Sequence, residues 1–255
     1  AGEIPAISLL FGGDMGKRTD AGANGQEQTE LNVPRHVAFI MDGNGRWAQK
    51  RGMPREYGHK RGAEVFRKIV SHCADIGISF VTVYAFSTEN WKRPQNEVNE
   101  LMHLLEEYLE LFLRDLEKND LSIRFIGDEA PLSETLKEKM HRVAEKSAGR
   151  SHVLNLALNY GGRDEIVHAC KKLMNEGVKD PTAADLSAAM YTAGSPDPDL
   201  IVRTGGEQRL SNFLLWQAAY AELYFTDVLW PDLTNEDVDE AIKCFNQRHR
   251  RFGAV

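Results

Sequence analysis

From His36 onward, short runs of β-branched and aromatic residues alternate with longer amphipathic stretches, and this alternation constrains the fold more than any other feature of the chain. A strand that is apolar on both sides must be covered on both faces. A helix between successive strands supplies that cover and returns the chain parallel to itself. Candidate strands are Val37 to Met41, Phe80 to Phe86, Leu121 to Ile126, Val153 to Leu158 and Leu200 to Arg203, with Leu223 to Phe225 as a weaker sixth. Helical periodicity covers Gly62 to Ile76, Asn96 to Asn119, Ser133 to Ser147, Arg163 to Glu176, Ala183 to Tyr191 and Asn235 to Arg248. Pro131, Pro181 and Pro231 fall between these elements, where a residue lacking an N–H does least harm. The expected architecture is α/β, a single domain with a central, mostly parallel six-stranded sheet flanked by helices. Residues 34–255 make up that domain. Residues 1–33, rich in Gly, Asp, Gln and Thr without sustained periodicity, read as a mobile N-terminal extension.

Composition narrows the partners. Lys and Arg number 31 against 38 Asp and Glu, a net charge of −7, which argues against a general nucleic-acid binder. Any anionic ligand must therefore meet arginines concentrated locally. Cys73, Cys170 and Cys244 are odd in number, far apart and without zinc spacing, so they read as buried thiols in a reducing compartment. No apolar run approaches the ~20 residues that span a bilayer, and Ile7 to Phe11 lacks the basic flank of a signal peptide. The reading is a soluble protein that touches membranes at most from outside.

Two loops carry the signals for chemistry. In HVAFIMDGNGRWA, a buried-strand pattern breaks into Asp42, Gly43, Asn44, Gly45 and Arg46 where a parallel strand would end, the place where ligands of open α/β sheets bind. Gly43 and Gly45 allow a tight turn that presents N–H groups to an anion, and Arg46 offers a forked pair of donors to phosphate oxygens. Arg51, Arg55, His59 and Arg61 add positive charge ahead of a helix expected to begin near Gly62. The second loop, VRTGGEQRLSNFL, again follows a strand with glycines and supplies Arg203, Arg209 and Ser211. Two phosphate-grade loops, with neither a P-loop nor a dinucleotide-binding glycine pattern, point to two phosphorylated substrates that meet. Asp42 and Glu222 are carboxylates suited to Mg²⁺ held jointly with substrate phosphates, although either also suits a helix cap or an arginine partner. Asn90 and Arg93, in YAFSTENWKRP, follow another strand and are expected at the same sheet edge, with Trp91 a packing anchor.

The stretch Val98 to Leu116 bears an ordinary core stripe widened by Leu104 and Leu111 to an apolar arc of roughly 200°, twice what one packing face requires. Each of these residues suits packing against a second helix, but the breadth of the arc also suits the wall of an enclosed apolar tunnel for a hydrocarbon chain.

HVAFIMDGNGRWA, YAFSTENWKRP, NYGGR, RTGGEQRLSNFL and AYAELYFTDVLWPD, in this order from about Pro34 to Gly253, resemble the blocks that characterise the cis-prenyltransferases, nearest to the bacterial undecaprenyl diphosphate synthases. The DDxxD motifs of the trans-prenyltransferases are absent. The resemblance implies a homodimer that condenses isopentenyl diphosphate with an allylic diphosphate, farnesyl diphosphate, into a long cis-polyprenyl diphosphate. Undecaprenyl diphosphate, a lipid-carrier precursor for cell-wall synthesis, is the implied product. By the resemblance, Gly43, Asn44, Gly45, Arg46, Trp47, Arg55, His59 and Arg93 hold the allylic diphosphate. Arg203, Arg209 and Ser211 hold isopentenyl diphosphate, Asp42 and Glu222 bind Mg²⁺, and Asp42 and Asn90 are catalytic. Arg251 and Gly253 resemble an RxG element that reaches the partner's active site. A cytoplasmic enzyme with transient contact at the inner face of the cell membrane follows. One departure is Gln208, where many relatives place a histidine.

Two other readings compete. A silent partner subunit of the same fold is expected to lack the loop chemistry that Asp42, Asn44, Arg46, Arg203 and Arg209 retain. An unrelated phosphohydrolase would use Asp42 as nucleophile. The proton acceptor stays open among Asp42, a water held by Asn90 and the substrate's own diphosphate.

Overall fold

The computed structural model describes residues 32–116 and 120–248. Its six strands are β1 (His36–Ile40), β2 (Phe80–Ser87), β3 (Leu121–Ile126), β4 (His152–Tyr160), β5 (Leu200–Arg203) and β6 (Glu222–Phe225). They form one sheet in the order β3-β4-β2-β1-β5-β6, with every neighbouring pair parallel. The helices are α1 (Asn44–Lys50), α2 (Arg55–Asp75), α3 (Gln95–Arg114), α4 (Glu134–Ser147), α5 (Gly162–Asn175), α6 (Ala183–Ala189) and α7 (Asn235–Gln247).

All five residues of β1 are buried, as a strand covered on both faces requires. Its alternation divides the core. Val37 and Phe39 face a large cluster with Ile69 and Cys73 of α2, Leu136 and Met140 of α4 and Ile242 of α7. Ala38 and Ile40 face a second cluster containing Tyr160, Ile201 and Phe213. Local signals start the helices where their caps stand. Ser133 Oγ accepts from Leu136 N–H, and Thr234 and Asp237 form a reciprocal capping box at the start of α7.

Three expectations need correction. The helix placed at Gly62 begins at Arg55, immediately after Pro54, because proline's fixed φ suits a helix entry. The loop after β1 coils at once into the seven-residue α1. Of the cysteines only Cys73 is buried, its thiol pushed up to about 12 by desolvation; Cys170 is exposed and Cys244 half-buried. Residues 1–31 of the expected N-terminal extension and the Arg251 and Gly253 element lie outside the described residues.

The sheet order determines where a site can form. The chain leaves β1 toward β2 on one side and leaves β5 toward β6 on the other, although β1 and β5 are neighbours. Their following loops diverge and open a crevice at the carboxyl ends of these strands. Register pairs Ile40 with Arg203, so Asp42 and Arg203 arrive at this crevice together.

Candidate active site

Asp42 joins the two loops. Arg46 Nη2 lies 3.1 Å from its Oδ1 and Arg203 Nη2 lies 3.1 Å from its Oδ2, so one carboxylate is shared by an arginine from each loop. Arg46 also donates to the Gly205 carbonyl at 2.7 Å, and Thr204 Oγ1 donates to the Asp42 carbonyl at 2.8 Å. The backbone at Gly205 favours glycine. Its φ is +85°, and a Cβ there would stand 2.5 Å from Arg46 Nη2.

Arg203 is 4% exposed. Besides Asp42, it donates from Nη1 to Ser211 Oγ at 2.8 Å and to the Arg209 carbonyl, while its Nε–H is buried without a partner. An orphaned donor on a buried guanidinium leaves a desolvation penalty that an anionic ligand would relieve. Ser211 is held by a strained segment: Ser211, Asn212 and Leu214 all have φ between +45° and +65°. That conformation is over-determined by the burial of Phe213 and Leu214 and by Asn212, whose carbonyl and Oδ1 accept from the N–H groups of Gly162 and Arg163. Arg209 is exposed and paired with Glu207.

The glycines of the two loops act differently from the sequence reading. Gly43 turns the chain with φ +108°. Gly45 is helical and buried, and a Cβ there would strike the Arg55 guanidinium at 2.6 Å. The first-turn N–H groups of Asn44, Gly45 and Arg46 have no carbonyl four residues back within the helix and remain available to an anion. In the second loop, the Gly205 and Gly206 N–H groups are taken by the Val228 and Thr226 carbonyls, so that loop binds through side chains.

Two arginines and His59 converge on one acid that the sequence reading did not single out. Glu97 Oε1 lies 3.0 Å from Arg93 Nη1, 3.2 Å from Arg55 Nη2 and 3.3 Å from His59 Nε2. Burial acts to raise its pKa, but hydrogen bonds and charge from Arg55, with Arg93 and His59, bring it below the ordinary range. Burial is the main cause that lowers the His59 pKa. The only sequence signal for Glu97 was its position four residues after Arg93, the spacing of a helical ion pair.

Asn90 belongs to a tight 3₁₀ turn, Thr88–Lys92, in which its Oδ1 accepts from Ser87 N–H at 3.1 Å. Its amide N–H₂ is therefore the end left free to donate. Asn44 donates to the Met41 carbonyl at 3.0 Å, and its buried Oδ1 packs on Gly62 of α2.

Asp42, Asn44, His59, Asn90, Arg93, Arg203, Arg209 and Ser211 line a single cavity of about 1520 Å³. Its mouth is at the crevice. Apolar side chains make up much of its lining, Phe66 and Val70 from α2, Ile123, Leu154 and Leu156 from the sheet, and Leu104, Tyr108, Leu111 and Phe112 from α3, with Arg67, Asp75, Asp115, Asp120 and His152 among them. Leu104 and Leu111, which widen the arc of α3, both face this space.

Other expected residues lie elsewhere. Gly43, Gly45, Arg46, Arg55 and Trp47 are outside the cavity lining; the Trp47 Nε1–H donates to Asp232 at 2.6 Å and its ring stacks on Arg51 at 4.1 Å. Arg61 pairs with Glu64 on the surface. Glu222 opens β6 level with Leu200, three residues before Arg203, and pairs with Arg248 at 2.7 Å. Asp42 and Glu222 are thus at different levels of the sheet, and no cluster of three His, Cys, Asp or Glu suited to a metal occurs among the described residues. Asp42 alone still fits Mg²⁺, which is commonly held by one or two carboxylates with substrate phosphates and water.

A family model described as "putative undecaprenyl diphosphate synthase" matches residues 40–253, nearly the whole domain. The chain belongs to this prenyltransferase family. It is 47% identical over 227 residues to an isoprenyl transferase of Fusobacterium nucleatum, covering 89% of this chain and 98% of the relative. It is 48% identical over 231 residues to the (2E,6E)-farnesyl-diphosphate-specific ditrans,polycis-undecaprenyl-diphosphate synthase of Pasteurella multocida, covering 88% and 96%. Among solved structures, a probable undecaprenyl diphosphate synthase from Campylobacter jejuni superposes with a TM-score of 0.75 at 37% identity, covering 88% of this chain and all of the other. Lavandulyl diphosphate synthase of Lavandula x intermedia, solved with dimethylallyl diphosphate, gives 0.83 at 35%, covering 87% and 98%. In this prenyltransferase, then, the arginine loops and the cavity between α2, α3 and the sheet are the features that need a chemical account.

Proposed function

We propose that this chain condenses isopentenyl diphosphate repeatedly with farnesyl diphosphate to make a long cis-polyprenyl diphosphate, undecaprenyl diphosphate, a lipid-carrier precursor for cell-wall synthesis. The observation that carries this reading is the carboxylate of Asp42, shared between Arg46 and Arg203, in the lining of a large and mostly apolar cavity. A hydrolase of small phosphate esters has no use for such a cavity.

In this reading the allylic diphosphate lies against the first turn of α1 with Arg46, Arg55, His59 and Arg93, and its prenyl tail descends between α2 and α3. Isopentenyl diphosphate lies against Arg203, Arg209 and Ser211. The allylic C–O bond breaks and its electron pair leaves with the diphosphate, whose growing charge meets fixed N–H groups and guanidinium donors. The electron pair of the isopentenyl double bond forms the new C–C bond, and loss of one proton from the adjacent carbon regenerates an allylic diphosphate. Asp42, a water held by the Asn90 amide or the departing diphosphate accepts that proton. Positioning both diphosphates removes the entropic cost of the encounter, and the apolar walls keep water from the cationic fragment.

Mg²⁺ fits at Asp42 with substrate phosphate oxygens, where it would neutralise the charge of the leaving diphosphate. A homodimer, a cytoplasmic location and brief contact with the membrane surface for product release complete the proposal. No described helix is long and apolar enough to cross a membrane. Each added unit buries further carbon at about 0.8 kcal/mol per CH₂-sized group, so release slows as the chain grows. The test is incubation of radiolabelled isopentenyl diphosphate with farnesyl diphosphate and Mg²⁺: organic-extractable polyprenyl product supports the reading, and release of inorganic phosphate with a phosphorylated Asp42 supports the hydrolase.

A further inference from the structure

We propose that Glu97 is a positioning residue for the allylic diphosphate: an internal anion that holds Arg55, His59 and Arg93 together in the empty site and keeps His59 ready to take a proton when the diphosphate arrives. The proposal rests on the prenyl-transfer reading above and deepens it.

The geometry is unusual for a purely structural acid. Three donors from two elements converge on one oxygen, Oε1, within 3.0 to 3.3 Å. Glu97 is buried, whereas Arg55 is about half exposed and Arg93 a third. Two guanidinium groups clustered beside His59 without an anion would repel one another and disperse, at the cost of ordering them again for each substrate. Each guanidinium spends one N–H on Glu97 and keeps the others for phosphate. His59 and Arg93 belong to the cavity lining, whereas Glu97 and Arg55 do not, so the acid acts on the cavity through His59 and Arg93.

The charged groups facing His59 are Arg55 on its own helix, Glu97 on α3 and Arg93 on the segment leading into α3. Burial lowers the proton affinity of the imidazole most, the acid raises it, and the two arginines lower it. A diphosphate drawing on the arginines from the front adds negative charge on the side where they dominated, which favours the imidazolium. Glu97 supplies the part of that balance present before substrate binds.

The test compares wild type with Glu97→Gln, which keeps size and removes charge, and Glu97→Asp, which keeps charge. Expected for Glu97→Gln are a rise of about 10-fold or more in KM for farnesyl diphosphate, with KM for isopentenyl diphosphate and kcat at saturation within about 3-fold. The fall of kcat/KM for farnesyl diphosphate with rising pH should begin at lower pH in that variant, because its imidazole loses the proton sooner. Glu97→Asp should recover part of both effects. Calorimetric binding of inorganic pyrophosphate reads the same role without prenyl transfer, and wild-type elongation run alongside reports on the underlying reaction separately. Unchanged or tighter binding of both ligands by Glu97→Gln, with an unshifted pH profile and only a lower melting temperature, overturns the proposal.

Discussion

Replacing Arg203 by alanine tests the isopentenyl side of the site. Arg203 reaches Asp42, Ser211 and the Arg209 carbonyl from a position 4% exposed, and its Nε–H is left over. If that spare donor and one forked N–H engage the diphosphate, the substitution removes one to two charge-assisted contacts. One such contact is worth roughly 1.5–3 kcal/mol, which corresponds to a rise of about 10- to 150-fold in KM for isopentenyl diphosphate. The arginine also braces Ser211 and Asp42, so Arg203→Lys serves as control: it retains the charge, loses the fork and should fall between wild type and alanine. The assay is steady-state incorporation of radiolabelled isopentenyl diphosphate at saturating farnesyl diphosphate, with melting curves recorded for all three proteins. An unchanged KM in a folded alanine variant would refute the assignment of the second loop to this substrate.

Three further expectations concern catalysis, the cavity and stability. Asp42→Ala should lower kcat by about 100-fold or more, the lower range for a positioned acid–base group, while the far-ultraviolet dichroism stays that of wild type; near-normal elongation contradicts its role. Leu104→Trp should crowd the cavity and shorten the polyprenyl products resolved by reversed-phase chromatography, and an unaltered product distribution would argue that the chain lies elsewhere. His36 is buried against Thr82 Oγ1 at 2.8 Å and the Pro196 carbonyl at 2.7 Å, and burial lowers its pKa to about 4. Because the folded pKa lies below the unfolded one, its contribution is complete above about pH 6.5 and lost as pH falls toward 4, about 3 kcal/mol in all. Urea unfolding between pH 7 and 4.5 should show a smaller loss in His36→Asn than in wild type, and equal losses would exclude His36 as the cause.

The sheet was legible because its strands are short apolar runs separated by amphipathic stretches; Val37, Phe80, Leu121, Val153, Leu200 and Leu223 all lie in strands of one sheet. The arrival of Arg46 and Arg203 at one place was also legible, since loops after parallel strands share an edge. The short α1 was hidden because Gly43, Asn44 and Gly45 are poor helix formers, and contact with α2 outweighs their propensity. Gly58 and Gly62 make that contact possible: a Cβ at either would come within about 2 Å of an Asn44 oxygen. The early start of α2 was masked by Arg55, Tyr57 and Gly58, which interrupt its apolar stripe. Glu97 escaped notice because two of its three partners, Arg55 and His59, lie 42 and 38 residues away along the chain and meet it only after α2 and α3 pack. Trp47 looked like part of the first loop, but one residue of helical rotation carries its ring to Arg51 and Asp232.

The central claim is that two diphosphates are held on either side of Asp42 while the growing chain fills the space beneath. A crystal structure of the wild-type protein with isopentenyl diphosphate and an unreactive thio analogue of farnesyl diphosphate tests it most directly. The account predicts one diphosphate among Arg46, Arg55 and Arg93, the other on Arg203 and Ser211, and the farnesyl tail between α2 and α3. A tail outside the cavity, or both diphosphates on the same side of Asp42, would contradict it.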